Sequence, residues 1–114
     1  MSEQDPDVFR VYGTVEEAET GRPLPHLVVR AFDRDLIADD RVGFTATDAE
    51  GRFEIRFGRE AFRDLGETHP DLYLRIYEPT GIRQIHQTTD AIRWNASARE
   101  HYRIRIPARA LREP

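Results

Sequence analysis

The sequence predicts an all-β protein: a Greek-key β-sandwich of seven to eight strands with one short helix around residues 59–66. Three observations predict it. Short segments alternate apolar and polar residues with a period of two, as in Phe53, Ile55 and Phe57 against Arg52, Glu54 and Arg56. Gly, Pro and Asp clusters punctuate these segments at close intervals. One stretch only, 59–66, breaks the alternation, with Ala61, Phe62 and Leu65 at helical spacing and Gly66 as its stop.

In chain order, the first strand is expected at 8–16, with Val11, Gly13 and Val15 on one face and Tyr12 and Thr14 on the other. Turn chemistry at Thr20-Gly21-Arg22-Pro23 follows. The second strand, 27–33, turns Leu27, Val29 and Ala31 inward and ends in a run of acids. The third strand, 42–47, leads to the turn Asp48-Ala49-Glu50-Gly51, where Gly51 supplies positive φ. The fourth strand is 52–58. The fifth, 71–78, sends Leu72, Leu74 and Ile76 one way and Tyr73, Arg75 and Tyr77 the other. Pro79-Thr80-Gly81 turns it into a sixth strand, 82–88. The seventh, 101–106, turns Tyr102, Ile104 and Ile106 inward, and Pro107 ends it. A single domain over 8–108 is expected, with loose tails at 1–7 and 109–114.

Composition narrows the chemistry. The chain has 114 residues, enough for one modest core without staples. Its net charge of −4 argues against nucleic acid as a partner. All 17 basic residues are Arg, which excludes Schiff-base chemistry by a Lys amine. The absence of Cys excludes disulfides and thiolate sites. No apolar run reaches membrane-spanning length, and no signal peptide is visible at the N-terminus. The default location is therefore cytoplasmic, although a domain cut from a secreted protein would read the same.

Five stretches resemble transthyretin-like (prealbumin-like) domains, a pattern shared with carboxypeptidase regulatory-like domains. They are Gly13-Thr14-Val15, Thr20-Gly21-Arg22-Pro23-Leu24, Val29-Arg30-Ala31-Phe32-Asp33, Thr47-Asp48-Ala49-Glu50-Gly51-Arg52-Phe53 and Pro70-Asp71-Leu72-Tyr73-Leu74. The resemblance implies a sandwich with a short helix after the fourth or fifth strand, and a binding, scaffold or accessory role rather than catalysis. The hydroxyisourate hydrolases share this fold and the Thr-Gly-Arg-Pro turn. Here the position of their first-strand catalytic His is Thr14, and their closing Tyr-Arg-Gly-Ser signature is missing. The chain is therefore expected to be non-catalytic, with a protein or carbohydrate partner and no nucleic-acid or membrane partner.

Three candidate sites stand out. Asp33, Asp35, Asp40 and Asp48 are carboxylates at strand ends, and if they converge they suit Ca²⁺, which takes six to eight oxygens. Otherwise, with Asp39, they cap turns and pair with Arg34 and Arg41. His86 and His101 would meet on an outer face as Zn²⁺ ligands only if their strands are neighbours. His26 and His69 read as surface histidines. Tyr73, Tyr77 and Trp94 would offer a stacking platform for sugar rings if exposed. The expectation is the reverse: Trp94 plugs one end of the sandwich, and the tyrosines pack beneath Arg stems such as Arg75 and Arg103.

Overall fold

Among the described residues seven strands form, in the phase that the alternation predicts. The computed structural model describes residues 6–36, 38–62 and 68–112. The strands are β1 (Val8–Glu17), β2 (Val28–Asp33), β3 (Asp40–Ala46), β4 (Arg52–Gly58), β5 (Leu72–Tyr77), β6 (Gln84–Gln87) and β7 (Arg99–Ile106). They make two sheets, ordered β4-β1-β7 and β3-β2-β5-β6. Every pairing is antiparallel except β1 with β7, which is parallel. Only the β2–β3 and β5–β6 connections stay within a sheet; the others cross between the two, which closes the sandwich.

The core lies between the sheets. Val11 and Val15 of β1, Val29 and Ala31 of β2, Phe53, Ile55 and Phe57 of β4, Leu72, Leu74 and Ile76 of β5, and Ile104 and Ile106 of β7 all point into it. Removing such side chains from water supplies the main driving force for closure. Phe9 anchors one end, stacked on Phe57 at 5.5 Å and edge-on to Phe62 at 5.3 Å. A 3-10 turn, Arg59–Ala61, carries Phe62 inward. This turn lies in the segment expected to be helical; residues 63–67 of that segment fall outside the described residues.

Gly13 sets the spacing of β1 and β7. A Cβ there would lie 1.8 Å from the Tyr102 carbonyl oxygen, so only Gly permits this approach.

The expected loose tail is corrected in part. Ala108–Leu111 forms one turn of helix, α1, after Pro107. Ala110 and Leu111 pack against the core, and the Arg83 guanidinium donates to the Ala110 carbonyl at 3.4 Å. Apolar contact is what orders a segment that composition alone reads as free.

Candidate functional site

The acidic loop joins β2 to β3 and is built on backbone hydrogen bonds. Asp33 is fully buried, and it faces Asp40 in register. Asp33 Oδ1 accepts from the Asp71 N–H at 2.7 Å, and the Arg34 N–H donates to the Asp71 carbonyl at 2.8 Å. Further along, the Asp35 N–H donates to Asp39 Oδ1 at 3.0 Å, and the Leu36 N–H donates to Asp35 Oδ1 at 2.6 Å. The Tyr73 hydroxyl donates to Asp39 Oδ2. Burial raises the Asp39 pKa, but the Tyr73 hydroxyl, the Asp35 N–H and the charges of Arg34 and Arg75 outweigh it, and the net shift is downward. Burial and the same hydrogen bond push Tyr73 up to about 12.

The four carboxylates considered for Ca²⁺ do not gather. Asp33, Asp35 and Asp40 share one end of the sandwich. Asp48 sits at the other, because β3 runs antiparallel to β2: Asp33 faces Asp40, while Val28 faces Ala46. Six residues of strand, about 20 Å, separate the two ends. Asp48 instead caps its own turn, accepting from the Glu50 and Arg52 N–H groups at 2.9 Å each. Among the described residues, no group of three His, Asp or Glu is positioned to hold a metal ion. The expected Ca²⁺ ligand set of Asp33, Asp35, Asp40 and Asp48 therefore does not fit.

The two histidines also separate. His86 lies on β6 in register with inward-facing Ile76, and burial lowers its pKa against the pull of Asp90. His101 lies on the outward face of the other sheet, edge-on to Tyr12 at 5.2 Å.

Trp94 overturns the expectation of a buried plug: it is 65% exposed. Its neighbours explain why. Arg93 and Leu72 exchange two backbone hydrogen bonds at 2.9 Å, and the Arg93 guanidinium bonds Glu100 and the His101 carbonyl and lies 3.7 Å over the Tyr102 ring. Two residues on, buried Ala96 donates its N–H to the Pro70 carbonyl at 2.8 Å. Asn95 between them takes a left-handed conformation, φ 52°, and donates its N–H to Asp71 Oδ1 at 2.8 Å. The turn is thus tied down on both sides of the indole, and the indole itself is left in water.

Trp94 faces the acidic loop across a cleft of about 340 Å³, lined by Arg34, Asp35, Leu36, Asp71 and Trp94. Leu36 is fully exposed on the opposite lip. Asp71 joins the two lips: its backbone holds Asp33 and Arg34, and its carboxylate holds Asn95. Sequence reasoning singled out Asp35 and Trp94 but missed Leu36, Asp71 and Asn95. The available signal was the Trp94-Asn95 pair, since Asn tolerates the left-handed conformation that swings a preceding side chain outward.

A wider depression of about 600 Å³ lies over the outward face of β1, β4 and β7. Its charged groups bind one another, Arg10 to Glu54 and Arg52 to Asp48, which leaves little for a ligand. The smaller cleft is the better candidate because it exposes apolar surface beside polar groups.

No protein-family model matches the chain, and no curated protein matches it. Solved structures share its fold, among them the next two. A 9R-lipoxygenase from Cyanothece PCC8801 superposes with a TM-score of 0.62 at 22% identity, over 91% of this chain and 17% of that one. The dioxygenase domain of a dioxygenase carbohydrate-binding protein fusion from the cellulolytic bacterium Streptomyces sp. SirexAA-E superposes with a TM-score of 0.52 at 15% identity, over 94% of this chain and 84% of that one. The chain thus spans about a sixth of the lipoxygenase, and at these identities the likeness is one of fold.

Proposed function

We propose that this chain is a non-catalytic, transthyretin-like β-sandwich that binds a ligand in the Trp94 cleft. One observation carries the reading: the only Trp is exposed on a turn whose backbone is tied at Arg93, Asn95 and Ala96. The backbone that carries the ring is already fixed, so a ligand that covers the ring does not have to order the turn. Tryptophan and arginine are also the side chains that most often dominate binding energy. The seven strands in two sheets and the short helical turn after the fourth strand are what the transthyretin-like resemblance implies. The chemistry of the cleft favours binding over turnover. Asp35 and Asp71, the carboxylates that line it, each already accept a backbone N–H.

Because Trp94 is the only Trp, its emission reports on the cleft directly. Emission is expected to be red-shifted and readily quenched by acrylamide. Proton–nitrogen correlation spectra recorded against a mixed panel of small sugars, peptides and amines are expected to move the Trp94 indole and the amides of 34–36 and 71, with no product formed. Blue-shifted, unquenched emission, or perturbations confined to other faces, would sink the reading.

A further inference from the structure

We propose that the ligand of the Trp94 cleft is a neutral sugar, with one equatorially substituted pyranose ring of an oligosaccharide lying on the indole; this rests on the binding reading above. The cleft, about 340 Å³, is at the small end of ligand sites, which span roughly 300–1,000 Å³. It suits one or two rings rather than a long apolar chain. Trp94 and Leu36 supply the apolar surface, and Arg34, Asp35 and Asp71 supply the polar rim. A pyranose with equatorial substituents has the matching shape: flat C–H faces and a girdle of hydroxyls that both donate and accept. The C–H face removes the indole from water. The girdle can accept from the Arg34 guanidinium and donate to the carboxylates of the rim.

Charge decides against an anion, and hydrogen-bonding capacity against a quaternary ammonium. Two carboxylates face one guanidinium, so the cleft repels an anion. A quaternary ammonium would stack on Trp94, but it carries no acceptor for the Arg34 guanidinium in the same cleft. Asp71 already accepts from the Asn95 N–H through Oδ1, which leaves Oδ2 to a ligand hydroxyl. A sugar hydroxyl, which both donates and accepts, uses both signs of the rim.

Cello- and xylo-oligosaccharides, and separately tetramethylammonium chloride, are titrated into the full chain while Trp94 emission and the correlation spectra are followed. At least one sugar is expected to shift the Trp94 indole saturably, with the amides of 34–36 and 71. Trp94→Ala should weaken that binding by about tenfold or more, whereas Trp94→Phe, which keeps a ring face, should retain part of it. Arg34→Ala should weaken it without changing the melting temperature. Trp94 and Arg34 are exposed, so these variants keep the fold, and circular dichroism checks it. If tetramethylammonium binds in the cleft and both sugars do not, the sugar assignment is overturned while the binding reading stands. If no member of the wider panel reaches the cleft, the binding reading falls as well.

Discussion

On the outward face of the β4-β1-β7 sheet, arginines chiefly meet carboxylates, although Arg10 also lies 3.9 Å over the Tyr12 ring; on the outward face of the β3-β2-β5-β6 sheet, they lie on aromatic rings. Glu54 is shared by Arg10 and Arg56, and Glu16 by Arg103 and Arg105. Across the molecule, Arg30 stacks on Tyr77 at 4.1 Å, Arg75 lies 5.0 Å from Phe32 and 5.7 Å from Tyr73, and Arg41 reaches Phe44 at 5.6 Å. Among the described residues, these three arginines form no salt bridge. The same cation thus finishes the two sheets with a different balance of partners. Exposed ion pairs stay solvated and contribute little each. Arginine stems laid over rings remove apolar surface from water and keep the charge outside. β4 is therefore half-buried, whereas β5, inside the other sheet, is buried on both faces: Leu72, Tyr73, Leu74, Ile76 and Tyr77 are all buried.

The comparison predicts where each sheet is fragile. The ion-paired sheet depends on its backbone spacing, so Gly13→Ala should have the largest effect. Its Cβ would strike the Tyr102 carbonyl, a backbone atom that cannot swing aside, and β1 and β7 must part. Loss of more than about 4 kcal/mol, or failure to fold, is expected in urea unfolding. A loss under about 1 kcal/mol would mean that the strands separate freely and that the spacing argument is wrong.

The aromatic sheet depends on side chains, and Tyr73 is its centre. Tyr73 stacks on Phe32 at 5.3 Å, lies beside Arg75 and donates to Asp39, at 1% exposure. Tyr73→Ala should cost about 3–5 kcal/mol. Tyr73→Phe keeps the ring and loses only the hydrogen bond, so a loss of about 1 kcal/mol is expected. Equal losses in the two variants would assign the whole effect to Asp39 and none to stacking. Urea midpoints at constant slope separate these outcomes.

Much of this arrangement was legible in the sequence, and the illegible part has a common cause. A period of two is a local property, so the alternation from Arg52 to Phe57 gave the correct inward set, and the same held for β1, β2, β5 and β7. The tyrosines of β5 lie beneath arginines as expected, but Tyr77 lies under Arg30 rather than Arg103, because β2 and not β7 is its neighbour. Asp48 was misplaced for a related reason. Carboxylates converge only if strand direction allows it, and an antiparallel hairpin that pairs Asp33 with Asp40 carries residue 48 back towards His26. Trp94 was misjudged because its exposure is fixed by partners distant in sequence: Leu72, Pro70 and Asp71 hold the residues on either side of it. Propensity favours a buried Trp. A turn fastened on both flanks overrides it.

The smallest expected effect separates the two faces by pH. Hydrogen bonds from Arg103 to Glu16 and from Arg10 to Glu54, the largest causes, outweigh some desolvation and hold both carboxyls below their ordinary 4.5. A group with a lowered folded pKa stabilises fully above its unfolded value, so this contribution drains as pH falls below about 4.5 through the lowered values. Tyr73 is raised from 10.0 to about 12, first by burial and then by Asp39, so its contribution is complete below pH 10 and is lost as pH climbs towards 12. The paired variant Glu16→Gln/Glu54→Gln should therefore lower the melting temperature slightly at neutral pH and flatten the acid limb, leaving the alkaline limb as it was. Tyr73→Phe should flatten the alkaline limb and, because Asp39 loses its hydroxyl donor, change the acid limb only through that one carboxyl. Neither limb should vanish: Glu78, held to about 2 chiefly by the Thr80 hydroxyl, still titrates in acid, and Tyr102, pushed up to about 12 by burial, still titrates in alkali. Added salt should shrink the Glu16→Gln/Glu54→Gln difference and leave that of Tyr73→Phe nearly unchanged, because exposed pairs are screened and a buried stack is not. If salt moved both variants alike, the two faces would be held by the same force, and the contrast drawn from their partners would not survive.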